Sequence, residues 1–329
     1  MKYQWLETRP DGDNNRNWAC SAMSGNGVHI IAGVYGGRLF VSNDSGITWT
    51  ETQPVGNNNG TWNAVAMSYS GQYIIAVAYS ARAWISNNYG ATWAETRPGG
   101  NANLNWNCAT MSWDGQTIYV GEYRSFGFNC GLWKTTNFGA NWVVCGAVSN
   151  ANAMTVCCSA NGQIVYYGAY LSRAYRSFNS AASWTEIQPV GASNVLWGCS
   201  GCDATGEKAL LGIDSAANGR LYYTKDYGAT FTQIQPMGDN NARWRGIFSN
   251  QSFTNIMAGS YAAATQGRLY MIGESGLTFQ EERPGGADSS LAWRALAMAK
   301  DGSTAIAGVE GGRLYVGRVN LNNKILNSI

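Results

Sequence analysis

An aromatic residue closes a recurring motif at positions 5, 49, 93, 142, 184, 231 and 279, at intervals of 44, 44, 49, 42, 47 and 48 residues. The best copy is Ser42-Asn43-Asp44-Ser45-Gly46-Ile47-Thr48-Trp49, flanked by the alternating runs Arg38-Leu39-Phe40-Val41 and Trp49-Thr50-Glu51. Asp and Gly tolerate the positive φ of a tight turn, so Asp-Ser-Gly between two such runs predicts a hairpin. Ser86 to Trp93 and Thr224 to Phe231 repeat it; Thr135 to Trp142, Ser177 to Trp184 and Ile272 to Phe279 are degenerate copies, with Asn137, Asn179 and Glu274 in place of Asp44. A period of this length with short strands means one four-stranded unit per repeat, and the chain has seven repeats.

The motif, S-x-D-x-G-x-T-W in its first copy, resembles the Asp-box, or BNR repeat, of sialidase-like β-propellers. The resemblance runs through nearly the whole chain and implies an all-β fold: a single seven-bladed propeller of four-stranded antiparallel blades, spanning residues 1–319. Trp5 lies on an outermost strand lacking its hairpin partner, and Arg313-Leu314-Tyr315-Val316 is the complementary orphan. The N-terminal strand, residues 3–9, is therefore expected to complete blade seven and remove two exposed edges. Residues 320–329 fall outside the pattern and are expected to form a tail.

Composition narrows the function classes. Only 13% of the residues are charged and the net charge is +2, which offers nothing to nucleic acid by bulk attraction. No apolar run approaches the ~18 residues of a membrane-spanning helix. Trp5 already belongs to a strand, so no leader peptide is expected, and the chain reads as cytoplasmic or exported without a cleaved leader. No phosphate loop or dinucleotide fingerprint occurs, and no cofactor is expected. Cys199-x-x-Cys202 has no second half, and His29 is the one histidine, so no metal is expected. The eight cysteines read as reduced core fillers. Cys130 and Cys145 are the exception: they flank a hairpin that has lost its ion pair and could face each other.

Aligned repeats give columns. Arginine precedes glutamate by 13 residues at Arg38–Glu51, Arg82–Glu95, Arg173–Glu186 and Arg268–Glu281; Arg313 finds its counterpart in Glu7. Paired loss at Gly131 and Val144 favours cross-strand ion pairs over a ring of ligand-binding arginines. Asp44, Asp226, Arg313 and Glu7 are accordingly read as structural. Two further columns lie on the loops of the opposite face. Asn15, Asn59, Asn103, Asn194 and Asn241 end a Pro-x-Gly-x-x-Asn loop; Asn150 keeps the place although its repeat has lost Pro and Gly, and Ser290 takes the seventh. Tyr35, Tyr79, Tyr123, Tyr170 and Tyr261 follow the second strands, with Asp214 and Glu310 completing that set. Amides with paired donors and acceptors beside flat aromatic faces suit sugars. The expectation is a non-enzymatic, multivalent, lectin-like binder of glycans, with no catalytic residue. Two alternatives stand: a structural building block making protein contacts, and a glycoside hydrolase, for which Asp214 and Glu310 are the pair to examine.

Overall fold

The computed structural model describes residues 2–123, 131–145, 152–261, 267–273, 278–286 and 291–319. Every regular element among them is a β-strand, and the strands form antiparallel four-stranded sheets in chain order, two of which are joined by a bridge between Tyr35 and Thr61. Cys130, Asn150, Glu274, Ser290 and the tail 320–329 lie outside the described residues.

Each outer hairpin is made by local chemistry. Leu39–Ser42 returns as Thr50–Thr52. Ser45 and Gly46 between them have φ of 61° and 82°, the mirror-image turn that matches strand twist. The Asp44 carboxylate accepts the amides of Ile47 at 3.0 Å and Thr48 at 2.8 Å, together with the Thr48 hydroxyl. Ser42 Oγ donates to Asp44 and accepts the Gly46 amide, both at 2.8 Å. An amide oxygen fills the same role elsewhere: Asn88, Asn137 and Asn179 accept the amides of Thr92, Asn141 and Ser183, each at 2.9 Å. The slight burial of Asp44 would raise its pKa, but hydrogen bonds from Thr48, Ser42 and Ile47 outweigh it and hold the pKa at about 2. Asp226 is held at about 2 by Thr230, Thr224 and Ala229 in the same way.

These values lie below that of a free aspartate, roughly 3.9. The two carboxylates therefore contribute stability that is fully present above about pH 4 and lost as pH falls toward 2. An Asp44→Asn, Asp226→Asn variant keeps the turn acceptor, as Asn88 does. It should lose less melting temperature than the parent between pH 5 and pH 2.5. An unchanged loss would show that acid acts elsewhere.

Packing between sheets follows a second repeated device. The innermost strands are Trp18–Met23, Gly60–Met67, Trp106–Met111, Ala153–Cys158, Trp197–Cys202, Arg243–Ser249 and Trp293–Met298. Each packs on the next, and the last packs on the first, so their order is cyclic. Trp18, Trp62, Trp106, Trp197, Trp244 and Trp293 are among the largest fully buried side chains. The neighbouring sheet accommodates them with a glycine on its second strand: a Cβ on Gly168 would meet Trp197 at 2.6 Å, and one on Gly308 would meet Trp18 at 2.8 Å. Glycine inside a strand here marks close approach of a neighbour. Directly after each of these tryptophans, and after Ala153, the register slips by one residue. Such bulges re-aim a side chain. They turn Ala19, Asn63, Asn107, Met154, Gly198, Arg245 and Arg294 toward the central channel.

At the other end of the channel the turns between first and second strands close on one another through the backbone. Gly25 N donates to Tyr69 O at 2.7 Å, Tyr69 to Trp113, Trp113 to Ala160 and Ala160 to Ala204 at 2.8 Å, Ala204 to Gln251 at 3.0 Å, Gln251 to Lys300 at 2.7 Å, and Lys300 back to Gly25 at 2.8 Å. The peptide groups thus satisfy each other in a closed circle, as polar backbone away from bulk water requires.

Chain ends meet in one sheet. Tyr3–Thr8 pairs antiparallel with Leu314–Val319 and forms the outermost strand of the sheet that begins at Trp293. Tyr3 is buried and its hydroxyl donates to Gly302 O at 2.7 Å; Trp5 Nε1 donates to Glu282 Oε2 of the neighbouring sheet at 2.8 Å. Glu7 Oε1 lies 3.7 Å from Arg313 Nε and 2.9 Å from Arg9 Nε. Bonds like that of Trp5 recur. Trp49, Trp93 and Trp142 donate to Thr8, Thr52 and Thr96 of the preceding sheet, all at 2.6 Å. Where the hydroxyl becomes Ile187, the aromatic is Phe231, which has no N–H, and the two share one apolar cluster.

Candidate functional site

The Arg column serves the loops. Arg38 Nε lies 3.6 Å from Glu51, and the same pairing holds at 3.7 Å for Arg173–Glu186 and 3.3 Å for Arg268–Glu281. Arg82 differs. Its guanidinium donates to Gly100 O at 2.7 Å, while Glu95 pairs with Arg97 at 2.6 Å. Arg38 donates to the carbonyls of Gly56, Asn57 and Asn58, and Arg220 to those of Gly238, Asp239 and Asn240. These guanidinium groups organise the Pro-x-Gly loops, and Arg38 and Glu51 also line a groove beside Tyr35.

Above them lies the loop face. Asn15, Asn59, Asn103, Asn194 and Asn241 are all exposed; Asn241 Nδ2 donates to Ala217 O at 2.6 Å. Tyr35 and Tyr79 are 41% and 39% exposed, and Tyr123, Tyr170 and Tyr261 are half-buried. The backbone amides of Tyr35, Tyr79, Tyr123 and Tyr170 donate to Asn17, Thr61, Asn105 and Asn152, two residues beyond each loop asparagine. Each tyrosine is thereby pinned beside an asparagine-bearing loop. One groove of about 370 Å³ brings Tyr35 together with Asn15, Asn59, Asp11, Arg16 and Asn17. Arg16 is ion-paired with Asp11 there.

Toward the channel mouth the face is not symmetric. Tyr123 and Tyr170 meet edge to face at 5.5 Å, and Tyr79 is close enough to Tyr123 to raise its phenol, after burial and Tyr170. Opposite them stand guanidinium groups. Asp214, almost fully buried, accepts Arg243 Nε at 2.7 Å and Arg245 Nε at 2.8 Å, and both arginines lie over the Tyr261 ring, at 5.1 and 4.5 Å. Arg294 reaches Glu310 and Asn63, each at 3.5 Å, and covers Tyr35 at 5.6 Å. Tyr261 and Tyr35 thus have cations on a face that the column alone leaves open.

Arg245, Arg294 and Asn63 escaped the reading of columns because the residue type at their shared position changes around the ring. The signal was their position directly after an inner tryptophan, where the other repeats carry Ala19, Asn107 and Gly198. His29 lies away from this face, with Nδ1 2.8 Å from Asn43 Oδ1 and its ring 4.4 Å from Tyr89. Among the described residues no three His, Cys, Asp or Glu side chains converge as a metal site would need. Cys20, Cys108, Cys145 and Cys199 are buried free thiols. The proposed partner of Cys145, Cys130, is outside the described residues.

No protein-family model and no curated protein matches the sequence. Solved structures do. YCF48 bound to a D1 peptide superposes with a TM-score of 0.70 over 97% of this chain and 96% of that one, at 9% identity. The Cps50 (Swd1) β-propeller domain of Myceliophteria thermophila gives 0.71 over 97% and 100%, at 11% identity. The GH74 xyloglucanase of Xanthomonas campestris gives 0.70 at 17% identity, over 96% of this chain and 54% of that one. Identities this low speak for architecture alone, and with the cyclic order of the inner strands they establish that the fold of this chain is a β-propeller.

Proposed function

We propose that residues 1–319 form one closed, seven-bladed propeller of the Asp-box type, and that its loop face is a non-enzymatic, multivalent carbohydrate-binding surface. The observation that carries this reading is the groove at Tyr35, where an exposed ring, the amides of Asn15 and Asn59 and the Arg16–Asp11 pair share about 370 Å³. That volume lies in the range of small-molecule sites. A ring face with two or three hydrogen bonds holds one sugar weakly, near millimolar or roughly −4 kcal/mol. Repetition around a rigid ring then supplies avidity of ~10²–10⁴ on a surface bearing many glycans.

Protein contact is the second reading. It is favoured by the joined aromatic surface of Tyr123 and Tyr170, and by a bound peptide in the YCF48 structure. A hydrolase is disfavoured because Asp214 and Glu310 are both engaged by guanidinium groups.

Glycan-coated beads should retain the parent protein. A Tyr79→Ala, Tyr123→Ala variant should stay folded and lose at least tenfold in retention, as should Tyr35→Ala. If a broad glycan array retains nothing and the double variant instead dissolves an assembly, the carbohydrate reading fails and the building-block reading replaces it.

A further inference from the structure

The central channel has a property independent of the loop-face reading. It encloses about 240 Å³, and its described lining contains no aspartate or glutamate. The charged groups of that lining are all cationic: Arg245 and Arg294 at the mouth and Lys300 at the narrow end. Glycosidic or peptidic ligands on the rim do not account for Lys300, which sits below them in the circle of hydrogen-bonded turns.

No described residue neutralises Lys300. Among the described residues none gives its ammonium group a hydrogen bond or an ion pair. The acids of nearby turns are occupied locally. Asp114 accepts from Ser112 and Gln116, Asp203 from Thr205 and Lys208, and Asp301 from Ser303. At the mouth, Asp214 and Glu310 are taken by the arginines. The electrostatic neighbours of Lys300 inside the channel are the thiols of Cys202, Cys158 and Cys157. Burial pushes the Cys158 thiol up to about 12; Cys202 is raised by its hydrogen bond with Cys157 and by burial, so these two thiols stay uncharged and offer no counter-ion. Burial lowers the lysine itself. At the mouth three guanidinium groups face two carboxylates, so the net charge there is positive, as it is at Lys300; a cleft of one net sign with walls of low dielectric concentrates the opposite ion.

We propose that the channel is a binding site for a small anion, a carboxylate or inorganic oxyanion, that enters past Arg245 and Arg294 and pairs with Lys300. An anion at Lys300 favours the charged amine, so anion affinity and lysine protonation are reciprocally linked.

The test uses the full-length chain, with its lysines ¹³C-dimethylated and followed by NMR over pH. Lys300→Arg keeps the charge and assigns the signal. In low-anion buffer Lys300 should titrate below the exposed lysines. Saturating acetate should raise its titration midpoint by about one pH unit, equivalent to about tenfold tighter acetate binding by the protonated form, while the other lysines stay in place. Inorganic phosphate is the second arm: a response to acetate alone identifies a carboxylate site, and a response to phosphate identifies an oxyanion site. If neither anion moves Lys300, or if all lysines move together, the proposal is wrong.

Discussion

Deleting residues 1–9 should abolish cooperative folding, or lower the melting temperature by more than about 15 °C, although the segment is a small part of the chain. The strand Tyr3–Thr8 supplies the outer edge of the sheet Trp293–Val319, and its loss leaves the outer edge of Leu314–Val319 unpaired. Buried Tyr3 and half-buried Trp5 contribute on the order of 5 kcal/mol by their packing alone. Two interactions go with them, Tyr3 to Gly302 and Trp5 to Glu282. The second matters more than its length suggests. Glu282 is buried beside the seam between two sheets, and without the Trp5 indole it loses a donor that opposes its desolvation. Domain stability is about 5–15 kcal/mol, so little remains. Addition of a synthetic peptide of residues 1–9 should restore the transition. A truncated chain melting within a few degrees of the parent would mean that the ring is not closed by this strand.

Trp197→Ala should cost about 3–5 kcal/mol, with a fall in melting temperature of about 10 °C. The indole is completely buried, packs over Gly168 of the preceding sheet and donates to Ser172 O at 3.2 Å. Its loss opens a cavity between two sheets that meet through side chains and a few backbone bonds at their ends, Ser172 with Val195 and Ala160 with Ala204. The surrounding strands cannot collapse into that cavity, because each is fixed by its own ladder. Chemical denaturation with an unchanged slope and a lower midpoint is the expected record. A loss below 1 kcal/mol would show that the inter-sheet tryptophans are dispensable and that the hydrogen-bonded circle of turns holds the ring alone.

The hairpins were legible because their causes are local. Positive φ at Ser45 and Gly46, and the Asp44 acceptor, all sit within eight residues, and the alternation of the flanking strands places the motif. The inter-sheet bonds were half legible. Exchange of Trp for Phe at position 231 coincides with exchange of Thr for Ile at position 187, but only the fold shows that the two columns touch. Spacing alone failed at Arg82. A separation of 13 places Arg82 near Glu95, yet Glu95 pairs with Arg97 and Arg82 donates to Gly100 O. Glu7 and Glu281 also bind an arginine two residues away, Arg9 and Arg283, but keep Arg313 at 3.7 Å and Arg268 at 3.3 Å, so spacing sets which side chains are near and not which of them bond.

The periodic residues by themselves determined that this chain forms repeated four-stranded sheets with its N-terminal strand in the last one, since strand alternation and turn chemistry act over a few residues. They also placed the tyrosines and asparagines on loops of one face. The polarity of that face and the charge of the channel were decided by tertiary structure. Arg294 and Asn63 are separated by 231 residues and meet because the ring closes and a bulge turns each toward the axis. Lys300, Arg245 and Arg294 line one cavity for the same reason. The repeat does not announce their charge, because a closed ring brings equivalent positions of different sheets, filled by different residues, onto a common axis, where their charges sum.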